Sequence, residues 1–144
     1  MTTTVQVVID CADPGGLSTF WASALGYKFQ DPPEGSVSWE DWLREMKIPE
    51  EEWNAASAVV DPEGKGPRVY FQRVPEGKVM KNRVHLDLNV GGGPGVPLEK
   101  RKVRVDEEAE RLVSEGATRV RPVDQRGEYW MVMRDPEGNE FCLQ

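Results

Sequence analysis

Histidine occurs once in these 144 residues, at position 85, and cysteine twice, at positions 11 and 142. Two cysteines make no disulfide framework, and no C-x-x-C pair suggests a zinc knuckle. With a single histidine and nothing recognisable to orient it, no Ser-His-Asp arrangement stands out. Apolar residues make up only 38% of the chain, and no apolar run approaches membrane-spanning length. Basic residues are the minority, 18 against 25 acidic, for a net charge of −7. That balance argues against a nucleic-acid groove or an anionic membrane surface, since both need clustered Lys and Arg. The densest basic run, Lys100, Arg101, Lys102 and Arg104, has Glu99, Asp106, Glu107 and Glu108 beside it and reads as a solvated helix face. The glycine run at residues 91–95 lacks dinucleotide spacing and is not followed by Gly-Lys-Ser/Thr, so it reads as a linker. No basic stretch followed by an apolar one precedes the first strand pattern, so no signal peptide is read and the expected compartment is the cytoplasm.

What is present is an internal repeat. Residues 5–9 are mostly β-branched and bounded by turn formers, which predicts a strand. A helix should follow: Asp13 is a good N-cap, Pro14 suits the first turn, and Leu17, Phe20, Trp21 and Ala24 share one face. Gly26 is placed to end it. Strands are predicted at residues 27–30, 58–60 and 68–73. The second half has the same order, with a strand at 83–90, a helix with Val105, Ala109, Leu112 and Val113 on one face and Gly116 at its end, then strands at 118–120, 129–134 and 139–143. Asp-Pro-Glu-Gly occurs at 61–64 and again at 135–138, each time before the last strand of its half. Proline sets the turn's first dihedral and glycine supplies the positive one. A shared tetrapeptide at the same place in two parallel element orders implies duplication of a half-domain. The first module covers about 1–76 and the second about 82–144 of one domain.

Alternation along the strands divides the side chains into two sets. Val5, Val7, Ile9, Val69, Phe71, Val84, Leu86, Leu88, Phe141 and Leu143 should pack on helices. Gln6, Val8, Asp10, Arg68, Tyr70, Gln72, His85, Asp87, Asn89, Glu140, Cys142 and Gln144 face the other way, toward a cavity. Residues 31–57 have no counterpart in the second half. There Ser38 could cap a helix in which Trp39, Trp42 and Met46 share a face. That helix either packs on the body or roofs the cavity as an aromatic lid; Trp53 stands out in the same stretch.

The segment Val5 to Asp10 followed by Asp13-Pro14, Phe20-Trp21 and Leu25-Gly26-Tyr27 resembles the opening of vicinal oxygen chelate proteins. Arg83 to Leu88 resembles the opening of their second half, and Asp135 to Phe141 their closing motif. The likeness covers nearly the whole chain and is nearest to an actinobacterial glyoxalase-like domain subgroup. It implies an α+β fold in which two βαβββ modules form a curved mixed sheet around one cavity. Members of the superfamily include isomerases, lyases, dioxygenases and plain binders, so the fold does not choose the function. In metal-binding relatives the four ligands fall on Gln6, Gln72, His85 and Cys142. Here both family carboxylates are gone, two positions hold amides, and one holds a thiol. No metal is therefore expected as a resident cofactor, with zinc favoured if one binds. Asp87 and Glu140 lie two residues from ligand positions. The expected ligand cavity holds Gln6, Asp10, Tyr70, Gln72, His85, Asp87, Glu140, Cys142, Trp39 and Trp42, with His85 the catalytic candidate. Two functions follow. One is binding or sequestering of a small organic molecule. The other is a glyoxalase-type lyase or isomerase, metal-assisted or using His85 with a carboxylate. The expected partner is a small-molecule ligand, with no nucleic acid and no membrane; a homodimer is left open.

Overall fold

A computed structural model describes residues 1–144. The chain divides into two compact units, Met1–Gly77 and Lys78–Gln144. The first runs β1 (Val7–Cys11), α1 (Pro14–Leu25), β2 (Lys28–Phe29), α2 (Trp39–Glu45), β3 (Ala56–Val60) and β4 (Val69–Arg73). The second runs β5 (Asp87–Leu88), α3 (Leu98–Ser114), β6 (Thr118–Gln125), β7 (Glu128–Arg134) and β8 (Glu140–Leu143). Sheet order is β1-β4-β3-β2 in one unit and β5-β8-β7-β6 in the other. In each, the first strand lies parallel to the last and the remaining pairs are antiparallel. Each unit is thus a βαβββ module, and the first carries an extra helix.

Local chemistry explains the elements of the first unit. Asp13 caps α1 by accepting from the Gly16 N–H, and Gly26 ends it at φ 68°, a conformation glycine adopts without strain. Leu17, Phe20 and Trp21 on its inner face pack with Val59, Val69 and Phe71 of the sheet, all buried. Burying one such side chain contributes roughly 1.5–3 kcal/mol. Ser18 is the polar exception; its hydroxyl lies 2.8 Å from that of Ser57, so it is buried with a partner.

In the second unit Val105, Ala109 and Leu112 of α3 are fully buried, with Met131, Met133, Phe141 and Leu143 in the same core. The two Asp-Pro-Glu-Gly turns use one device. Asp61 accepts from the N–H groups of Glu63, Lys65 and Gly66, and Asp135 from those of Glu137 and Asn139. The carboxylate fills the role of a backbone acceptor inside the turn.

Several boundaries differ from the sequence reading. The first strand begins at Val7, so Gln6 precedes it, and Val5 is exposed rather than packed. The predicted strand at 83–90 forms only over Asp87–Leu88, leaving Val84 81% exposed. A strand beside a single neighbour is held only where its partner reaches, and here just two residues pair with β8. Val113 and Met46 are exposed, not inner-face residues. Strand β6 runs on to Gln125 and turns at Arg126-Gly127, both with positive φ, the geometry of a two-residue hairpin. No helix is long and apolar enough to cross a membrane.

Candidate functional site

In the first unit, the face opposite α1 is built in rows. Val8 pairs in register with Tyr70, and Tyr70 with Ala58; Asp10 pairs with Gln72, and Gln72 with Ala56. The alanines on β3 leave space beside Tyr70. The insertion between β2 and β3 encloses that space. Its helix α2 is capped by Ser38, which accepts from the Asp41 N–H, with Glu40 and Asp41 in the first turn where the helix dipole favours them. The result is a cavity of about 530 Å³, within the usual range for small-molecule sites. Its walls include Phe29, Trp39, Trp42, Trp53, Tyr70 and Arg68.

The aromatic walls are fixed by their polar edges. The Trp39 indole N–H donates to the Gln30 carbonyl at 2.7 Å, and that of Trp53 to the Ile48 carbonyl at 2.9 Å. Trp39 and Trp42 meet edge to face, with centroids 5.7 Å apart. Asn54 fastens the far end of the insertion to the start of α1, donating to Asp13 and accepting from the Gly15 N–H. Gln30 serves three neighbours: its carbonyl takes Trp39, its N–H donates to Ala58, and its side-chain oxygen accepts from Arg68 Nε at 2.7 Å. Arg68 Nη1 also donates to Gln6 Oε1 at 2.9 Å, and its guanidinium lies 5.2 Å from the Tyr70 ring centroid.

In the second unit, a cavity of about 410 Å³ is lined by His85, Asp87, Glu140 and Cys142, with Lys81, Arg121, Trp130, Val132 and Gln144. His85, Asp87 and Cys142 offer ligand atoms all within 4.8 Å of one another. Asp87 Oδ1 lies 3.4 Å from His85 Nε2. Burial pushes the Cys142 thiol pKa up, and the Asp87 carboxylate adds to this by its charge and by hydrogen bonding; Lys81 and Arg121 oppose the shift without reversing it. Glu140 has a different task. Burial works against its ionisation, but the Asn82 N–H at 2.9 Å and the Lys78 ammonium at 3.1 Å hold its carboxyl down to about 2. A carboxylate that weakly basic is a poor proton acceptor at neutral pH.

Of the residues picked from the sequence, Trp39, Trp42 and Tyr70 meet in the first cavity, and His85, Asp87, Glu140 and Cys142 in the second. Gln6 reaches the first only through Arg68, while Asp10 and Gln72 are exposed neighbours on the same sheet face and outside its walls. Gln30, the fastening point, carries no signal of its own in the sequence.

The comparisons with known proteins agree with this architecture. Residues 6–144 match the glyoxalase-like domain family. The chain belongs to that family. No curated protein matches it. Among solved structures, a glyoxalase/bleomycin resistance protein/dioxygenase family enzyme from Burkholderia phytofirmans aligns with TM-score 0.61 and 17% identity, over 96% of this chain and 94% of that one. A hypothetical protein from S. aureus aligns at 0.59 and 17%, over 99% and 96%. A mutant of the fosfomycin resistance protein FosX from Listeria monocytogenes, complexed with Mn(II) and 1S,2S-dihydroxypropylphosphonic acid, aligns at 0.62 and 10%, over 100% and 90%. At these identities the likeness is one of fold.

A glyoxalase-like fold raises the question of a metal, and the donors can be tested for it. Gln6 cannot serve a cation as it stands, because its oxygen is held by a guanidinium whose charge repels one. Gln72 offers only a neutral amide. Cys142 would have to ionise against a raised pKa. The four family positions therefore do not fit a divalent ion. His85, Asp87 and Cys142 by themselves form a three-donor group with one formal negative charge, closer to zinc chemistry than to that of magnesium or manganese.

Proposed function

We propose that this glyoxalase-like protein binds a small organic molecule in the aromatic cavity of its first unit, without a resident divalent ion. The observation that carries the reading is the wall of Trp39, Trp42, Trp53, Phe29 and Tyr70 around about 530 Å³. Indole rings tied by their N–H groups to backbone carbonyls lose little further freedom when a ligand arrives, and that lowers the cost of binding. The test is a screen of aromatic fragments against the whole protein, followed by tryptophan fluorescence. A hit should quench or shift the emission, and Trp42→Ala should weaken it about tenfold or more, an effect of the size seen for central aromatic contacts. Hits whose affinity is unchanged in Trp42→Ala place binding elsewhere and sink the reading.

One observation favours a second reading, a glyoxalase-type enzyme. His85, Asp87 and Cys142 converge in the second unit, with an Asp87 carboxylate oxygen 3.4 Å from the imidazole Nε2 and the same carboxylate hydrogen-bonded with the thiol. In that case His85 is the proton-transfer group and Asp87 its orienting partner. Stoichiometric metal that depends on His85, or turnover abolished by His85→Ala, would put this reading first.

A further inference from the structure

The aromatic cavity carries one charge that nothing offsets. Arg68 lines it and has no carboxylate within ion-pair distance. A guanidinium presents five N–H donors in a rigid fork. One goes to Gln30 and one to Gln6, both neutral amide oxygens, and the rest, including both on Nη2, remain for a ligand. Neighbouring charges are treated differently. Glu52, also in the wall, pairs with Arg73 at 3.2 Å. Arg44, stacked over Trp53, faces Glu40 at 3.7 Å and Asp41 at 3.6 Å. Arg68 alone is oriented by dipoles and left with its full charge.

We propose that Arg68 is the anion anchor of the cavity, and that the ligand class is a flat aromatic carboxylate. Its ring system lies among Trp39, Trp42 and Trp53, and its acid group takes the outer N–H groups of Arg68 as a two-point pair. Such a pair is short, directional and stronger than a neutral hydrogen bond. The two glutamines hold the guanidinium in one orientation before the ligand arrives, so little ordering is left to do. An aromatic box can also suit an organic cation. The uncompensated guanidinium in this wall disfavours one. The inference rests on the binding reading above and narrows it.

The experiment compares 2-naphthoate with 2-naphthamide, which share a ring system and differ in charge. Both are titrated into the full chain by calorimetry, with the tryptophan indole NMR signals reporting where they bind. Naphthoate should bind at least about tenfold more tightly, roughly 1.4 kcal/mol. Arg68→Gln should abolish that preference, read as the ratio of the two affinities in the same variant. Arg68→Lys keeps the charge without the fork and should retain only part of the preference. If Arg68→Gln does not fold, Arg68→Lys decides, since a full preference there refutes the two-point pair. Equal affinity of the two probes for the unaltered protein overturns the anion anchor but leaves aromatic binding standing. If neither probe moves an indole signal, both ideas fall.

Discussion

Glu140→Gln isolates one interaction whose worth can be worked out in advance. The carboxyl titrates at about 2, against its usual 4.5, because the Asn82 N–H and the Lys78 ammonium favour its charged form more than burial opposes it. Its side chain is only 11% exposed and that of Lys78 25%, so solvent screens the pair weakly. A difference of about 2.5 pH units corresponds to about 3 kcal/mol of stability at neutral pH. The sign follows from the direction. A folded-state pKa below the unfolded one stabilises above about 4.5, and the contribution fades as pH falls toward 2. At pH 3 less than half of it remains. Glutamine is nearly isosteric and its oxygen can still accept from Asn82, so the loss at pH 7 should be about 2 kcal/mol rather than the whole amount. Urea unfolding followed by circular dichroism measures it, at pH 7 and pH 3, in both proteins. Other carboxylates titrate alike in the two and cancel in the difference. The gap should be wide at pH 7 and narrow at pH 3. A gap that stays constant across that range would refute the ionic explanation and leave only a packing effect.

Two further outcomes concern the second unit. Dialysed protein, prepared without chelator, should carry well under one equivalent of zinc, nickel or iron by elemental analysis, because the donor set has one formal negative charge and a thiol that resists ionising. Near-stoichiometric metal that disappears in His85→Ala would reverse that conclusion. Iodoacetamide should label Cys142 far more slowly than a free thiol at pH 8, since it is 9% exposed and its pKa is raised by burial and by Asp87. Asp87→Asn should speed the reaction; an unchanged rate would mean that access alone sets it.

The duplicated architecture was legible because its signals are local. Asp13-Pro14 and Gly26 bracket a helix by capping chemistry, and the twin Asp-Pro-Glu-Gly turns mark matching places in two strand orders. Alternation identified the core face of β4 and β8, where Val69, Phe71, Phe141 and Leu143 are buried. It failed before β5. An alternating stretch needs a neighbour to become a strand, and the sequence does not say how far the neighbour extends. The anchoring of Arg68 was illegible for a related reason. Gln30 lies 38 positions away and Gln6 62, and glutamine has no spacing rule that announces a partner. The tryptophans of the insertion were conspicuous by type. Their role as walls depended on Ala56 and Ala58 being small, which becomes meaningful only once β3 lies beside β4.

The aromatic cavity takes every wall residue from Met1–Gly77. The two halves have therefore stopped being equivalent copies. A lineage could change its preferred compound by altering the insertion or the strand beside it, leaving the coding sequence of the other half untouched. An extra segment confined to one of two like modules lets a stable scaffold and a binding preference vary separately, so proteins sharing this scaffold could recognise unrelated compounds.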